Sequence, residues 1–534
     1  MTQEPVDIVL VQPPFGGEYN FWKSECLGLG YLAAALERNG YTVKILDAFL
    51  LDLSIEETVR RIVERRPRLM VGTSMLSYQL YRTGTTVLDR LREEGLQCHF
   101  TAGSWFPTFW HDAMIDEGTP LDSIVVGEGE AAICAVADQL SAKSRIEDRP
   151  GIRVTERNGV LVLQEWPPTL DLDSLPNPRR DYLPHVFKRY RLATIHTARG
   201  CGHNTCTFCS VPAFYHSGPA HRMRSAENVV NELRDVREHG ADFVFFSDED
   251  FLGKTGVGRD RALRIFEAAA DLGMRYSFNC TVTAVEAESF RRMKDLGLAA
   301  VYIGLEAHND RCLKLFGKGG SARDVDRTVA LLRDLDIKLV PGWIMFERDS
   351  TFEEIEEAIQ FLSRIDAYHI NFLRPLYVMK DTALEKRYSG DLYRPPFDSK
   401  FYYTDPNVDL LVRVLTTDYL PEVLPFTNLI YPVWHTLLAG YGNAAQQGEY
   451  EEINRRMKEL GLGFTKELMD RIRAGRLDGT ARALAGQVDD WRRLGVQIAK
   501  LANGLCVEST DRPSAPGVCG TARVPSRGGE SCAE

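Results

Sequence analysis

Three cysteines, Cys201, Cys206 and Cys209, lie within nine positions of a chain that has 11 cysteines in 534 residues. Three thiolates on one short loop can bind three irons of a four-iron cluster and leave the fourth iron without a protein ligand. Two other interpretations stay open at this point. His203 lies in the same loop and could complete a zinc site, since structural zinc takes four ligands, and the thiols could also be buried without binding any metal.

The cysteine loop directly follows a strand pattern, Leu192 to Thr197. Further strand patterns alternate with helical patterns up to about residue 380, which predicts a partial (β/α)6 TIM-like barrel. Because ligands of such barrels bind at the carboxyl ends of the strands, the cysteines are placed where chemistry is expected. The other strands predicted in this series are Phe243 to Ser247, Tyr276 to Cys280, Ala300 to Gly304, Leu339 to Met345 and Ala367 to Leu373.

An earlier series of alternating strand and helix patterns occupies the amino-terminal part of the chain. It predicts an α/β domain with a doubly wound, Rossmann-like sheet, whose ligands would lie outside the carboxyl ends of the strands. One helix is predicted from about Gly28 to Asn39. The predicted strands are Val6 to Val11, Tyr41 to Leu46, Leu69 to Thr73, Cys98 to Thr101 and Ser123 to Val126.

Composition shifts divide the chain into five regions. Residues 1–145 form the Rossmann-like domain, and the proline-containing stretch 146–190 is interpreted as an irregular connector. Residues 191–400 form the barrel. Amphipathic helical patterns predict a mostly helical carboxy-terminal region at 401–505, which we expect to cover the barrel mouth, and the polar tail 506–534 is expected to be disordered.

The overall composition excludes several classes of protein. A net charge of -11 makes nucleic acid a poor partner, because the chain would repel a phosphate backbone. No apolar run approaches the roughly 20 residues of a membrane-spanning helix, and the amino terminus lacks the features of a secretory signal. We therefore expect a cytoplasmic protein without membrane segments, in which a disulfide framework is not expected.

The barrel region resembles the radical S-adenosylmethionine (SAM) superfamily over about residues 190 to 380. Besides the cysteines, the resemblance rests on segments 246–251, 302–306 and 315–319. It implies a 4Fe-4S cluster on Cys201, Cys206 and Cys209, with SAM at the open iron. Four residues separate the first two cysteines where the family has three, and we expect the extra residue to bulge outward. The SAM contacts that the resemblance implies are Phe208, Ser247, Asp248, Glu249, Gly304 and Glu306.

The amino-terminal domain is similar to the cobalamin-binding domain of one large radical SAM subfamily, on segments 27–34, 103–108 and 126–130. The loop Asp47 to Leu50 lacks the histidine that replaces the lower axial ligand in other cobalamin proteins, so the resemblance implies base-off cobalamin. A domain that has lost its cofactor and only packs on the barrel is the alternative. The implied cobalamin contacts are Pro13, Ser74, Leu76, Ser77, Gly103, Pro107, Thr108, Gly127, Glu128 and Glu130.

Together these resemblances imply a cobalamin-dependent radical SAM methyltransferase that acts on an unactivated carbon of a small molecule, such as a natural-product intermediate. An external electron donor of the flavodoxin or ferredoxin type would reduce the cluster. Cyclisation or rearrangement with the same cofactors is a second hypothesis, and a cobalamin-binding sensor with a structural cluster is a third. No catalytic residue is assigned from the sequence, and Cys506, Cys519 and Cys532 are given no role.

The cluster assignment predicts the effect of removing each thiol. Cys201→Ala, Cys206→Ala and Cys209→Ala should each abolish the visible absorbance of the reconstituted cluster, because each thiolate is one of only three protein ligands. The control Cys312→Ala should keep that absorbance. If a variant of one of the three cysteines retained the full absorbance and iron content, the assignment of that ligand would be wrong.

Overall fold

Five parallel strands and one hairpin form the first sheet of the computed structural model, in the order β2-β1-β3-β4-β5-β7-β6. The order of the first five strands is that of a doubly wound sheet. The strands are β1 (Ile8–Gln12), β2 (Val43–Asp47), β3 (Met70–Ser74), β4 (His99–Gly103), β5 (Ser123–Val126), β6 (Ile152–Arg157) and β7 (Val160–Glu165). The helices between them are α1 (Leu27–Arg38), α2 (Ile55–Arg65), α3 (Tyr78–Glu93), α4 (Trp105–Asp116) and α5 (Glu130–Leu140).

The structure describes residues 5–15, 23–165, 171–188, 191–215, 219–254, 256–368, 373, 375–388, 392–393, 400–401, 403–476 and 480–508. Of the tail predicted at 506–534, residues 506–508 belong to the last helix, Thr480–Glu508, which corrects the predicted start of the tail. The rest of the tail, with Cys519 and Cys532, lies outside the described residues. Among the described residues no helix combines the length and the apolar character that crossing a bilayer requires.

The hairpin β6–β7 corrects the interpretation of this stretch as an irregular connector. β7 pairs in parallel with β5, so the hairpin extends the first sheet. Its outer strand is mostly exposed and therefore lacks the apolar run that marked the buried strands. The sequence did contain a signal for its turn, the pair Asn158-Gly159, which is typical of a two-residue type I′ turn. Both residues have positive φ in the structure, as that turn requires.

A second sheet of five parallel strands has the order β14-β13-β12-β11-β8. Its strands are β8 (Leu192–Ile195), β11 (Phe243–Phe246), β12 (Arg275–Thr281), β13 (Leu298–Glu306) and β14 (Lys338–Trp343), while β9 (Ala198–Gly200) and β10 (His221–Met223) form a separate antiparallel pair. The helices of this region are α6 (Leu183–Val186), α7 (Val211–Phe214), α8 (Ala226–Glu238), α9 (Gly256–Ala268), α10 (Ala287–Asp295), α11 (Asp310–Leu315), α12 (Ala322–Asp334) and α13 (Phe352–Arg364).

The sixth predicted barrel strand is only partly described. Residues 369–372 lie outside the described residues, and Ala367 makes an isolated parallel bridge with Leu339 of β14. The described part of the barrel is therefore a five-stranded open sheet with one further bridge at its β14 edge. A partial barrel of this kind leaves the strand ends on one side accessible to a second domain.

Helices dominate the chain after the barrel, as the sequence predicts. The elements are α14 (Ala383–Tyr388), β15 (Leu392–Tyr393), β16 (Lys400–Phe401), α15 (Pro406–Val414), a π-helical turn (Leu415–Tyr419), α16 (Leu420–Asn428), α17 (Ile430–Leu438), α18 (Ala444–Arg473) and α19 (Thr480–Glu508).

The position of the long helices corrects the expectation that they cover the barrel mouth. Tyr441 donates a hydrogen bond to Asp242, which precedes β11, and Lys338 at the start of β14 pairs with Glu451. These contacts lie at the amino ends of the strands. Trp434 of α17 packs against Tyr302 inside the barrel, with ring centroids 6.0 Å apart. The helices therefore fill the barrel from its amino end.

The segment that does reach the cysteine loop precedes the long helices. The Leu384 N–H donates to the Thr207 carbonyl (2.9 Å), and Lys380 lies 4.8 Å from the ring centroid of Trp110 in α4. This segment, residues 375–388, therefore touches both the barrel and the amino-terminal domain.

Buried ion pairs join the two domains. Arg180 pairs with Glu25 of the amino-terminal domain and with Glu232 of α8, and all three side chains are at most 6% exposed. Glu232 also pairs with Arg224. Because a buried charge is costly without a partner, these pairs fix the relative position of the domains once the chain has folded.

Removing the Arg180 guanidinium should destabilise the protein strongly. Arg180→Met leaves the Glu25 carboxylate buried without its cation, which costs about 3–5 kcal/mol. The neighbour Arg179→Met is a matched control, since Arg179 pairs with the more exposed Glu37 and Asp181 and should cost about 1 kcal/mol or less. Urea unfolding followed by fluorescence measures both. Equal midpoints for the two variants would show that the buried pair contributes nothing.

Candidate active site

The cysteine loop starts directly after β9 and is fixed at both ends by backbone hydrogen bonds. The Cys201 N–H donates to the Ala220 carbonyl (2.9 Å), and the Thr207 N–H donates to the Phe316 carbonyl (3.0 Å). Gly317 has φ of +65°, and a Cβ on it would overlap the Thr205 carbonyl. A glycine is therefore required where the loop meets the segment after α11.

The three thiols share a largely buried environment. Burial raises the pKa of Cys201 to about 11 and that of Cys206 to about 12, and it also raises the pKa of Cys209. The Lys318 ammonium opposes this shift at Cys206 and Cys209. Metal binding to these thiols would release their protons, since only the thiolate is a ligand.

His203 is the residue of this loop that could complete a zinc site. Its Nε2 lies 2.8 Å from the Gly317 carbonyl, so the imidazole ties the loop to the segment after α11.

The loop after β11 carries three carboxylates with different roles. Asp248 is fully buried and accepts hydrogen bonds from the Thr197 N–H and hydroxyl and from the Ala198 N–H. It holds the chain between β8 and β9, which corrects its assignment as a SAM contact. Asp250 accepts from the Gly202 N–H (3.2 Å) and so supports the start of the cysteine loop.

Glu249 and Ser247 of the same loop face a cavity between the two domains. The loop is anchored by Phe251, whose ring stacks on Phe246 and Phe278 with centroids 4.5 and 4.8 Å apart. Aromatic packing on both sides holds the backbone of this short acidic segment in place.

Three of the residues predicted to contact SAM, Phe208, Gly304 and Glu306, lie in or beside the cysteine loop on the side of β13. Phe208 packs edge-on against Phe316 with centroids 5.6 Å apart. Glu306 pairs with the buried Lys318 at 3.3 Å, and a Cβ on Gly304 would lie 2.7 Å from the Lys318 ammonium. Gly304 therefore provides the space in which this ion pair lies.

The interdomain cavity is lined by both domains. Loops at the carboxyl ends of β3, β4 and β5 form one wall, and residues that follow β8 and β11 form the other. Five predicted cobalamin contacts line it: Ser74, Gly103, Gly127, Glu128 and Glu130.

The other five predicted cobalamin contacts do not line the cavity. Pro13 packs behind α3 against Gly84, and the Ser77 hydroxyl caps α3 by accepting from the Leu80 N–H. Thr108 accepts from the Gly127 N–H (3.0 Å), so it shapes the loop without facing the ligand. Leu76 is 56% exposed, and Pro107 is buried within α4.

The cavity wall carries polar atoms that lack hydrogen-bond partners. Among the described residues, the unpartnered buried atoms that belong to cavity-lining side chains are Thr73 Oγ1, Glu128 Oε2, His196 Nε2 and Glu249 Oε2. Such atoms are costly when buried, unless a ligand or water satisfies them. Gly28 lines the same cavity with no atom within 4 Å of where a Cβ would lie. The residues present therefore fit a large polar ligand such as cobalamin.

Arg199 connects the cavity to the cysteine loop. It lies two positions before Cys201 and pairs with Glu130 (2.5 Å) and Glu128 (3.0 Å). Arg222 of β10 also pairs with Glu128. The two acidic residues predicted to contact cobalamin thus hold the domains together, and one Glu128 oxygen remains directed at the cavity.

Three functional candidates escaped the sequence reasoning: Arg199, Tyr215 and Lys318. Arg199 directly precedes the cysteine loop and Lys318 lies within segment 315–319, so their positions in or beside these motifs were a usable signal. Tyr215 follows α7 without any motif, and its hydroxyl donates to Glu249 at 3.1 Å. No pattern in the chain marked it.

Comparison with protein families finds two matching domains. The B12 binding domain matches residues 24–137, and the Radical SAM superfamily matches residues 195–362. The two matches fall on the first sheet and on the barrel, respectively. They therefore agree with the assignments made from the cysteine spacing and the loop motifs.

Three curated relatives are similar to the chain. An uncharacterized methyltransferase of Pyrococcus horikoshii is 26% identical over 65% of this chain and 74% of its own. Hopanoid C-3 methylase of Methylococcus capsulatus is 27% identical over 60% of this chain and 62% of its own. Anaerobic magnesium-protoporphyrin IX monomethyl ester cyclase of Rubrivivax gelatinosus is 27% identical over 62% and 60%. The similarity thus spans about three fifths of the latter two relatives.

A solved structure shares the overall fold. The cobalamin-dependent S-adenosylmethionine radical enzyme OxsB with aqua-cobalamin bound superposes with a TM-score of 0.70 at 17% identity. The superposition covers 96% of this chain and 83% of that one. It therefore includes the helical region beyond the two family matches.

Replacing His203 tests the ligand set of the metal site. His203→Ala should keep more than about half of the iron and the visible absorbance after anaerobic reconstitution, because the imidazole binds a carbonyl and the cluster needs only three thiolates. Metal analysis and absorbance measure this, with Cys206→Ala as the variant that loses both. Stoichiometric zinc in the wild type that disappears in His203→Ala would establish a closed zinc site instead.

Proposed function

We propose that this chain, which matches the Radical SAM superfamily over residues 195–362 and the B12 binding domain over residues 24–137, is a cobalamin-dependent methyltransferase acting on an unactivated carbon of a small molecule. The observation that supports the proposal is a cavity lined by both domains, with Ser74 and Gly103 on one wall and Ser247 and Glu249 on the other. The methyltransferase among the relatives and the hopanoid methylase support methyl transfer as the reaction type.

The family implies a 4Fe-4S cluster, SAM and cobalamin, and this chain offers residues for each. Cys201, Cys206 and Cys209 would hold the cluster, and Phe208, Gly304 and Glu306 would contact SAM. When bound, the cluster supplies electrons for SAM cleavage and cobalamin carries the methyl group. In the overall balance, two SAM molecules and two electrons from a reductant convert a substrate C–H bond into a C–CH3 bond. One SAM gives its methyl group and leaves as S-adenosylhomocysteine, and the other yields methionine and 5'-deoxyadenosine, which carries the substrate hydrogen.

The protein's own contribution is enclosure and placement. Segment 375–388 lies against the cysteine loop and α4, and the helical region fills the barrel interior around Trp434. The segment shields the cysteine loop, and the helices close the opposite end of the barrel. A reactive radical survives only where competing hydrogen donors are kept away.

We propose that cobalamin binds in the base-off form. Among the described residues that line the cavity from the amino-terminal domain, none is a histidine. In the loop Asp47 to Leu50, the Asp47 carboxylate accepts from the Leu50 N–H (2.9 Å) and the Cys26 N–H (3.2 Å). It therefore ties its own loop to the start of α1. No imidazole ligand for cobalt is provided from this wall.

The reductant and the domain limits are further parts of the proposal. An external donor of the flavodoxin or ferredoxin type would supply the electrons, and the net charge of -11 argues against a nucleic-acid substrate. We place the Rossmann-like domain at 1–145 together with its hairpin, the barrel at 191–400 and the helical region at 401–505. Cyclisation with the same cofactors is the second candidate, favoured by the similarity to the cyclase.

Product analysis separates these candidates. Protein reconstituted with iron, sulfide and hydroxocobalamin, then given SAM and a strong reductant under anaerobic conditions, should form both S-adenosylhomocysteine and 5'-deoxyadenosine. Cys206→Ala should lose at least about 100-fold of the 5'-deoxyadenosine, because the cluster is needed for cleavage, and should keep S-adenosylhomocysteine formation. Mass spectrometry measures both nucleosides.

Other product patterns would contradict the proposal. Formation of 5'-deoxyadenosine without S-adenosylhomocysteine would favour cyclisation or rearrangement over methyl transfer. Failure to form either nucleoside with fully loaded protein would favour a non-catalytic sensor.

A further inference from the structure

His196 and Glu249 lie side by side on the barrel wall of the interdomain cavity. His196 follows β8, and Glu249 lies in the loop after β11. Nε2 of His196 and Oε2 of Glu249 are 3.8 Å apart, which is too far for a direct hydrogen bond. Neither atom has a hydrogen-bond partner among the described residues, and both are shielded from water. A ligand that bonds to both atoms would remove two unsatisfied groups at once.

The surroundings make His196 a donor and Glu249 an acceptor. Burial lowers the pKa of His196, but the neighbouring Glu249 and Asp248 carboxylates outweigh burial and raise it. Burial raises the pKa of Glu249, but His196 and the Tyr215 hydroxyl outweigh that effect and lower it. The two neighbours therefore favour the charged form of each other, the imidazole as donor and the carboxylate as acceptor.

The remaining groups near the pair are already engaged. Arg199 is held by Glu128 and Glu130. The Arg224 guanidinium donates to the His196 carbonyl at 2.9 Å, and the Tyr31 hydroxyl donates to the same carbonyl at 3.4 Å. The backbone of His196 is thus fixed from two sides.

The chemistry of the pair selects one kind of ligand group. A primary carboxamide presents an acceptor oxygen and an N–H donor side by side, which matches an imidazole N–H and a carboxylate oxygen 3.8 Å apart. A carboxylate or phosphate would meet repulsion from Glu249 and Glu128, and a cation would be repelled by His196. Cobalamin carries primary carboxamides around its corrin ring.

We propose that His196 and Glu249 form a binding site for one side-chain carboxamide of cobalamin. The amide oxygen accepts from His196 Nε2, and the amide N–H donates to Glu249 Oε2. This proposal rests on the proposed function, since it requires cobalamin in the interdomain cavity. The family resemblance implies that Glu249 contacts SAM. The present proposal assigns Glu249 to cobalamin instead, on the side of the barrel wall that faces the amino-terminal domain. The two residues would set the orientation of the ring relative to the barrel.

Binding of cobalamin analogues to the apoprotein tests the proposal without any turnover. The probes are hydroxocobalamin and a panel of cobalamin monocarboxylic acids, in which each primary side-chain amide in turn is replaced by a carboxylate. Absorbance titration gives the Kd of each. Wild-type protein should bind one member of the panel at least about 10-fold more weakly than the others, because its carboxylate meets Glu249.

Variants identify the residue responsible. Glu249→Gln should restore that one analogue to within about threefold of the others, since the repulsion is removed. His196→Gln should weaken hydroxocobalamin about 5- to 20-fold, because a charged donor is replaced by a neutral one. The exposed Glu238→Gln on α8 is the matched control and should bind the whole panel like wild type.

Two outcomes would overturn the proposal. The first is a wild-type protein that binds every member of the panel equally well. The second is a Glu249→Gln variant that leaves the discriminated analogue unchanged. A wild type that binds no hydroxocobalamin at all would instead contradict the proposed function itself, so the two failures are distinguishable.

Discussion

The salt bridges of Arg199 are the interaction on which the arrangement of this molecule depends. Its guanidinium lies two positions before the first cysteine of the loop and pairs with Glu128 and Glu130 of the amino-terminal domain. All three side chains are buried, so the guanidinium needs the carboxylates and the carboxylates need the guanidinium. A buried charge without its partner would cost several kcal/mol. The distance between the cysteine loop and the cavity is therefore set by a short and stiff connection. Radical chemistry between two cofactors needs such a fixed distance.

The three acidic residues of the loop after β11 have different roles. Asp248 holds the chain between β8 and β9, and Asp250 holds the loop itself. Glu249, placed between them, is left with one oxygen directed at the cavity. A segment of three adjacent carboxylates thus serves two structural tasks and presents one group to a ligand.

Much of the fold was predictable because its strands are buried runs of apolar residues. β13 and β11 have the Val, Ile and Phe content of fully covered parallel strands. The hairpin at 152–165 was missed because its outer strand is exposed and polar, although the Asn158-Gly159 turn was visible. The place of the long helices beneath the barrel could not be predicted. An amphipathic pattern shows which face of a helix is buried, but it does not show which element covers that face.

The candidate site was predictable to a smaller extent. The cysteines carry their chemistry in their spacing, so the amino-acid sequence alone is enough to identify them. Ser77 and Thr108 resemble ligand contacts in sequence, yet they cap a helix and support a glycine loop, tasks that polar residues at strand ends commonly perform. Pairings such as Arg199 with Glu130 join positions 69 residues apart, and no local pattern encodes them.

The aromatic packing around Trp434 bears on the shape of molecules that can react. Phe245, Tyr302, Tyr368 and Trp434 occupy the barrel interior with neighbouring ring centroids 5.0 to 6.0 Å apart. A substrate therefore cannot thread down the barrel axis. An elongated molecule would have to lie crosswise in the layer between the domains, so only an end or an edge of it could come within reach of both reaction partners.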